Sequence, residues 1–287
     1  MDNIKYKLKK IGIVNKSKKN NKKYSEELYE KAFGKKINWQ SPEEFNEKLM
    51  YLKVFNYNKN PLVKECTDKY GMRMYALNKG IKEKHLEEIV GIYKSVKEIK
   101  IGELPEKFII RCTHGEYFNI VCYDKETFNF KEAFAKINKW LKTKYGYDTG
   151  EIQYTKIKPQ IMITKLTDDY IYDYKLYCFY GKPLVILVTS RENEDLKLNF
   201  YDYKWNELLL EDKKYHGAKI KAPRYLNDML GIAKKVSKEF PFVRINFHEE
   251  NGKTVMDNMV FTPSACLANY YRGAGNSYLS KLLDLKI

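Results

Sequence analysis

The sequence predicts an α+β fold, with antiparallel hairpins among helices rather than a doubly wound parallel sheet. Three observations carry this. The first third shows helical periodicity without Gly-rich linkers. Residues 173–190 read as one long hairpin turning at Gly181-Lys-Pro183. Residues 243–249 and 254–262 read as two strands joined by Glu250-Asn-Gly252, where Asn-Gly supplies the left-handed backbone of a tight turn. With 287 residues, 44% of them apolar, the chain can build one large domain or two lobes around a sizeable core.

In chain order, Ser41-Pro-Glu-Glu44 is a capping box with Pro at the first helical position, opening a helix to about Phe55. Helices are expected over 62–78 and 84–96. From 107 the period changes to that of strands: 107–113, a turn at 114–117, and a partner at 118–122. Residues 130–144 form an amphipathic helix with Phe134, Ile137 and Leu141 on one face, stopped by Gly146. A short strand follows at 160–164. Residues 225–239 are a helix with Leu226, Met229, Leu230, Ala233 and Val236 as its apolar stripe. No internal repeat is found. The expected organisation is a basic tail (1–25), a helical N-terminal region (26–100), a small lobe (101–165) and a larger lobe (166–287).

The net charge is +16, which raises the question of nucleic acid. Yet only six of the 53 basic residues are Arg: 73, 111, 191, 224, 244 and 272. Base readout and phosphate clamping lean on Arg, and no helix-turn-helix, zinc-finger or RNP pattern is present, so nucleic acid is not the expected partner. The cysteines (66, 112, 122, 178 and 266) are odd in number and form no C-x-x-C, which argues against a disulfide framework or structural zinc. They read as small buried hydrophobes in a reducing cytoplasm. The longest apolar stretch, Pro183–Val188, is far below the roughly 18 residues of a membrane span. The N-terminus carries no apolar signal core, so no secretory leader is expected. Residues 1–23 hold nine Lys against one Asp, with Ile4, Leu8 and Ile11 at helical spacing. They read either as a solvated tail or as a basic helix docking on the anionic inner leaflet.

Several blocks together resemble the TupA-like ATP-grasp family of capsule and cell-wall polysaccharide synthesis. They are Ser41-Pro-Glu-Glu-Phe-Asn-Glu-Lys48, Asp68-Lys-Tyr-Gly-Met-Arg73, Leu104-Pro-Glu-Lys-Phe108, His114-Gly115, Asp173-Tyr-Lys-Leu-Tyr-Cys-Phe179, Phe240-Pro-Phe-Val-Arg244 and Val260-Phe-Thr-Pro263. They stand in the family's order over about residues 38–287. The resemblance implies an ATP-grasp fold: two lobes with antiparallel sheets, flanking helices and a helical N-terminal region, holding ATP with Mg²⁺ between the lobes. It also implies the family's chemistry, in which a carboxylate becomes an acyl phosphate and is attacked by an amine.

This chain departs from the family at the nucleotide and metal positions. Where the family has a strand Lys and a Gly-Ser-Gly-type flap, it has Arg111 and Gly115-Glu-Tyr-Phe118. Bulky residues there obstruct close approach of backbone N–H groups to phosphates. A family acidic position falls at Thr164. The family's two metal carboxylates fall at Asn246 and Asn258. Strand alternation puts Arg244, Asn246 and His248 on one face, and Met256 and Asn258 on one face of the partner strand, so Asp257 is expected to point the other way.

The resemblance gives Lys175, Arg244 and Arg191 as candidate catalytic residues. Candidate nucleotide- or anion-binding residues are Arg111, His114, Gly115, Asp173 and Lys175, with Asn246 and Asn258 as degenerate metal positions. With both metal ligands neutral, Arg111, Lys175, Arg191 and Arg244 are expected to cluster with Asp173 or Glu116 as their only internal partners, and so to need an anion. Three functions compete: an ATP-dependent carboxylate–amine ligase acting on a surface sugar; a metal-independent glycosyltransferase using a nucleotide sugar; and a pseudoenzyme binding polysaccharide or a partner enzyme. A cytoplasmic location is expected in each case.

Overall fold

Two antiparallel sheets face each other across a cleft. The computed structural model describes residues 16–166, 172–192 and 195–285, with the side chains of 191 and 192 outside that description. The expected helix around Ile4, Leu8 and Ile11 therefore lies outside the described residues.

The small sheet holds β1 (Ile89–Tyr93), β2 (Phe108–Cys112), β3 (Asn119–Cys122) and β4 (Ile161–Lys165), in the order β1-β4-β2-β3. Alternation along β2 turns Phe108, Ile110 and Cys112 into one core, against Ile137 of helix α5 (Phe130–Leu141). The large sheet holds β5 (Asp173–Phe179), β6 (Lys182–Glu192), β7 (Asp195–Asp202), β8 (Glu207–Leu208), β9 (Phe242–Glu250) and β10 (Lys253–Val260), in the order β10-β9-β5-β6-β7-β8. The β5–β6 and β9–β10 hairpins form where their turn residues predict. Gly181 at φ +80° and Asn251-Gly252 at +46° and +71° take the left-handed turn positions.

The remaining helices are α1 (Asn21–Phe33), α2 (Phe45–Tyr51), α3 (Pro61–Thr67), α4 (Lys69–Asn78), α6 (Ile152–Thr155), α7 (Leu226–Val236) and α8 (Gly273–Leu282). Most of them cover the large sheet. Phe45 of α2 lies edge-on to Phe242 (5.5 Å) and near Tyr177 and Phe179, all of them buried. Burying such a ring stabilises by roughly 1.5–3 kcal/mol. The chain continues from α2 as a π-helical turn, Leu52–Tyr57. Tyr57 accepts the N–H of Phe242 and donates to its carbonyl (3.2 and 2.7 Å), fixing the start of β9.

Three expectations are corrected. The helix expected over 84–96 does not form: strand β1, paired with β4 through Ile92 and Met162, occupies its middle, between two short 3-10 turns. Leu86, Ile89, Val90 and Tyr93 imitate a helical period, but the β-branched Ile89, Val90 and Ile92 favour extended backbone and Gly91 weakens a helix. The helix expected over 62–78 is broken at Asp68, whose carboxylate caps α4 by accepting from Tyr70 and Gly71 N–H (2.9 and 3.3 Å). The helix expected from Ser41 starts at Phe45, where the Glu47 carboxylate takes the N–H groups of Glu43 and Glu44 (3.0 and 3.1 Å).

All five cysteines are buried free thiols. Cys112 and Cys122 sit in the small-sheet core; Cys66, Cys178 and Cys266 sit in the large one.

Candidate functional site

The cleft between the sheets encloses about 760 Å³. Strands β5, β6, β9 and β10 supply one wall. The other comes from β2, the β2–β3 loop and the segment around α6. Arg111, Asp173, Lys175, Arg244, Asn246 and Asn258 all line it, as the sequence places them. The side chain of Arg191 lies outside the described residues.

Lys175 stands opposite Asn246 of β9 and Leu187 of β6. Its ammonium donates to Thr189 Oγ1 (2.7 Å) and lies 3.6 Å from Asp173 Oδ2, to which Thr189 also donates (3.3 Å). Burial first, and Arg244 second, lower the Lys175 pKa to about 8, against the pull of Asp173 and Asp257. Arg244 Nε donates to Asn246 Oδ1 (3.1 Å). Arg111 is ion-paired with Glu87, both side chains being largely buried.

Two candidates do not reach the cleft. His114 is buried, and its Nε2 lies 3.2 Å from the carbonyls of Trp140 and Thr143. Burial holds its pKa below the ordinary value even against those carbonyls. It anchors the turn and does not face a ligand. Gly115 serves packing: a Cβ there would meet the Phe118 ring at 2.8 Å and Tyr145 at 3.0 Å. Phe118 in turn stacks on Trp140 (5.3 Å). The loop that the family resemblance makes a phosphate flap is thus filled with rings. Thr164 is sealed inside the small sheet, in register with Ile109.

Asp257 is a further correction. It faces the cleft. Partners step from Met256↔Phe247 to Asn258↔Asn246, so Asp257 is the extra residue of a β-bulge and alternation fails there. It lies near Arg111, Glu87, Asp173 and His248. Burial pushes its pKa up, against His248 and Arg111, and Oδ1 has no hydrogen-bond partner among the described residues.

Sequence reasoning missed Lys69, Glu151 and Tyr154, and read Glu116 as an obstruction to phosphate and a possible partner of the cations, without its hydrogen bonds. Glu116 Oε1 accepts from the Tyr154 hydroxyl (2.9 Å) and from Asn258 Nδ2 (3.4 Å). Burial alone would raise its pKa, but Lys69, Tyr154, Arg244 and Asn258 hold it below the usual carboxylate range. Glu151, also buried, takes the hydroxyls of Thr149 and Thr262. Fully buried Lys53 donates to the carbonyls of Thr149 (3.0 Å) and Ala265 (3.3 Å). It thereby braces Ser264, Ala265 and Cys266, three consecutive residues with left-handed φ of 52°, 56° and 67°. Lys69 stood inside a motif block; only tertiary packing turns it into the cleft.

The cations have internal partners: Asp173 and Glu116, which the sequence offered, and Glu87, which it did not. Arg111 has Glu87, Lys175 has Asp173, and Glu116 lies in the field of Lys69 and Arg244.

Mg²⁺ normally keeps one or two carboxylates plus phosphates. Here the oxygen of Asn246 is taken by Arg244, and the amide of Asn258 is turned to Glu116. Among the described residues no group of three or more His, Cys, Asp or Glu could hold a metal. Asn246 and Asn258 therefore do not fit the part of the two carboxylates that would hold the metal.

A helix-flanked pair of antiparallel sheets closing on such a cleft is the ATP-grasp architecture. The chain belongs to the TupA-like ATPgrasp family, whose pattern matches residues 47–279. No curated protein matches it. Among solved structures it is similar to the D-alanine–D-alanine ligase of Bacillus anthracis complexed with ATP, at 12% identity and a TM-score of 0.48. That match covers 77% of this chain and 66% of the ligase, so the chain spans just under two thirds of it. It is also similar to the ATP-grasp ligase PsnB complexed with its minimal precursor (10% identity, TM-score 0.41, 83% of this chain and 66% of that one). A third is the L-amino acid ligase of Bacillus licheniformis (9% identity, TM-score 0.43, 69% of this chain and 41% of that one). No described helix is long and apolar enough to cross a membrane.

Proposed function

We propose that this ATP-grasp protein acts in surface-polysaccharide assembly by binding an anionic ligand, of the nucleotide or acidic-sugar class, in its cleft without a metal ion. The supporting observation is the pair Asn246 and Asn258, neutral amides at the metal positions and both hydrogen-bonded within the protein. Lys175 and Arg244 lie beside them and take over neutralisation of the ligand's charge, as fixed cations can. Arg111 holds the far side through its pair with Glu87. The polysaccharide setting rests on the family resemblance.

Calorimetric titration with ATP, ADP and glucuronate, each with Mg²⁺ and with EDTA, tests this. Binding of at least one of them unaffected by EDTA is expected. Binding of ATP that requires Mg²⁺ would overturn the reading. It would favour instead the ligase chemistry of the wider family, with Asp257, the bulged carboxylate with an unpartnered oxygen, as the metal ligand.

A further inference from the structure

Resting on the metal-free anion reading, we propose that the Glu116 carboxylate is the cleft's own occupant of its oxyanion subsite, and that a ligand carboxylate or phosphate binds by displacing it. Four elements converge on this one group. Tyr154 of α6 and Asn258 of β10 donate to it. Lys69, the first residue of α4, and Arg244 of β9 supply its positive surroundings. Neutral donors combined with two cations are how a protein builds a seat for a ligand oxyanion. Here the small lobe fills that seat with its own side chain.

The geometry favours withdrawal of the side chain over opening of the loop. The base of the loop is pinned by Gly115 under the Phe118 and Tyr145 rings and by Phe118 on Trp140. The next residue, Tyr117, is 86% exposed, at φ +61°. Rotation about the Glu116 side-chain bonds withdraws the carboxylate while the backbone stays in place. Lys69 and Arg244 then face the cleft with no countercharge from Glu116, and an incoming oxyanion restores the balance. Binding is an exchange of one oxyanion for another, and the ligand competes with an internal group held at very high local concentration.

Removing the competitor sharpens binding. Glu116→Ala should bind inorganic pyrophosphate or glucuronate at least about tenfold more tightly than the unmodified protein. Glu116→Gln keeps an acceptor for Tyr154 without the charge, so it should show a smaller gain and guards against misfolding of the alanine variant. In anion-free buffer Glu116→Ala should melt lower than the parent, and pyrophosphate or glucuronate should raise its melting temperature more than the parent's. A gain confined to glucuronate assigns the seat to a carboxylate; one confined to pyrophosphate assigns it to a phosphate. If the parent binds an anion and both variants bind it equally or more weakly, displacement is overturned while the metal-free reading stands. If neither parent nor variants bind any anion, the reading itself fails.

Discussion

The two walls of the cleft offer a ligand different things. The large-sheet wall is lined by polar side chains on paired strands: Asn246 and Asn258 stand in register on β9 and β10, beside Lys175 and Arg244. The small-lobe wall is filled by side chains: Glu116, Tyr117 and Phe118 project from one short loop, with Phe118 stacked on Trp140. The first wall presents neutral amides and cations; the second presents a carboxylate and rings. A ligand can still use the first wall as built, whereas at the second it meets a protein group already in place.

The largest expected effect tests whether the large-sheet wall is the rigid scaffold. Phe242→Ala, at the buried centre of the Phe45–Tyr177–Phe179 cluster, should cost about 3–5 kcal/mol in urea unfolding. Phe118→Ala, in the partly buried loop, should cost less. An equal or larger loss at Phe118 would break the comparison.

Next come the cations of the large-sheet wall. Lys175→Ala and Arg244→Ala should each weaken binding of the anion by about 1–3 kcal/mol, with EDTA making no difference. Calorimetry that finds both variants unchanged would reduce these residues to structural partners of Asp173 and Asn246.

Restoring the missing charges sharpens the contrast from the other side. Asn246→Asp with Asn258→Glu should raise Mn²⁺ affinity tenfold or more, about 1.4 kcal/mol. Without metal the same protein should melt lower, because a carboxylate at 258 would face Glu116. Tight Mn²⁺ binding by the unmodified protein, indifferent to the double change, would show that the amides never mattered.

The smallest effect is pH-dependent. With a pKa lowered to about 8, Lys175 loses its charge as pH rises through that value, so anion binding should weaken severalfold between about pH 7 and 9. Lys175→Arg should flatten the profile. Between about 8 and the ordinary lysine value the unfolded chain holds a proton that the folded one has shed. The contribution of Lys175 to stability should therefore rise with pH across that window.

Much of the fold was legible because it is written locally. The β5–β6 and β9–β10 hairpins announce their turns, and α5 and α7 their apolar stripes. Strand β7 was missed although Leu196, Leu198 and Phe200 alternate, because no turn residue as strong as Asn-Gly marks its start. At the site, residue identities were legible but directions were not always so. Asp257 faces the cleft because of a bulge, which depends on how β10 meets β9 and not on the order of its own residues. From its position His114 is equally a ligand contact or a turn anchor; the Trp140 and Thr143 carbonyls at the α5 end make it an anchor. Lys69 and Tyr154 enter the cleft only once helices from distant parts of the chain have docked.

The five cysteines turn the fold into its own reporter. None is exposed, and burial raises the pKa of each thiol, to about 12 at Cys112, Cys178 and Cys266. A maleimide therefore finds almost no thiolate in the native molecule, and its rate of reaction counts excursions away from it. The labelled peptide tells which lobe made the excursion: Cys112 and Cys122 register openings of the small sheet, Cys66, Cys178 and Cys266 those of the large one. A ligand that clamps the lobes should slow both sets together, and one that merely stiffens a single wall should slow only its own.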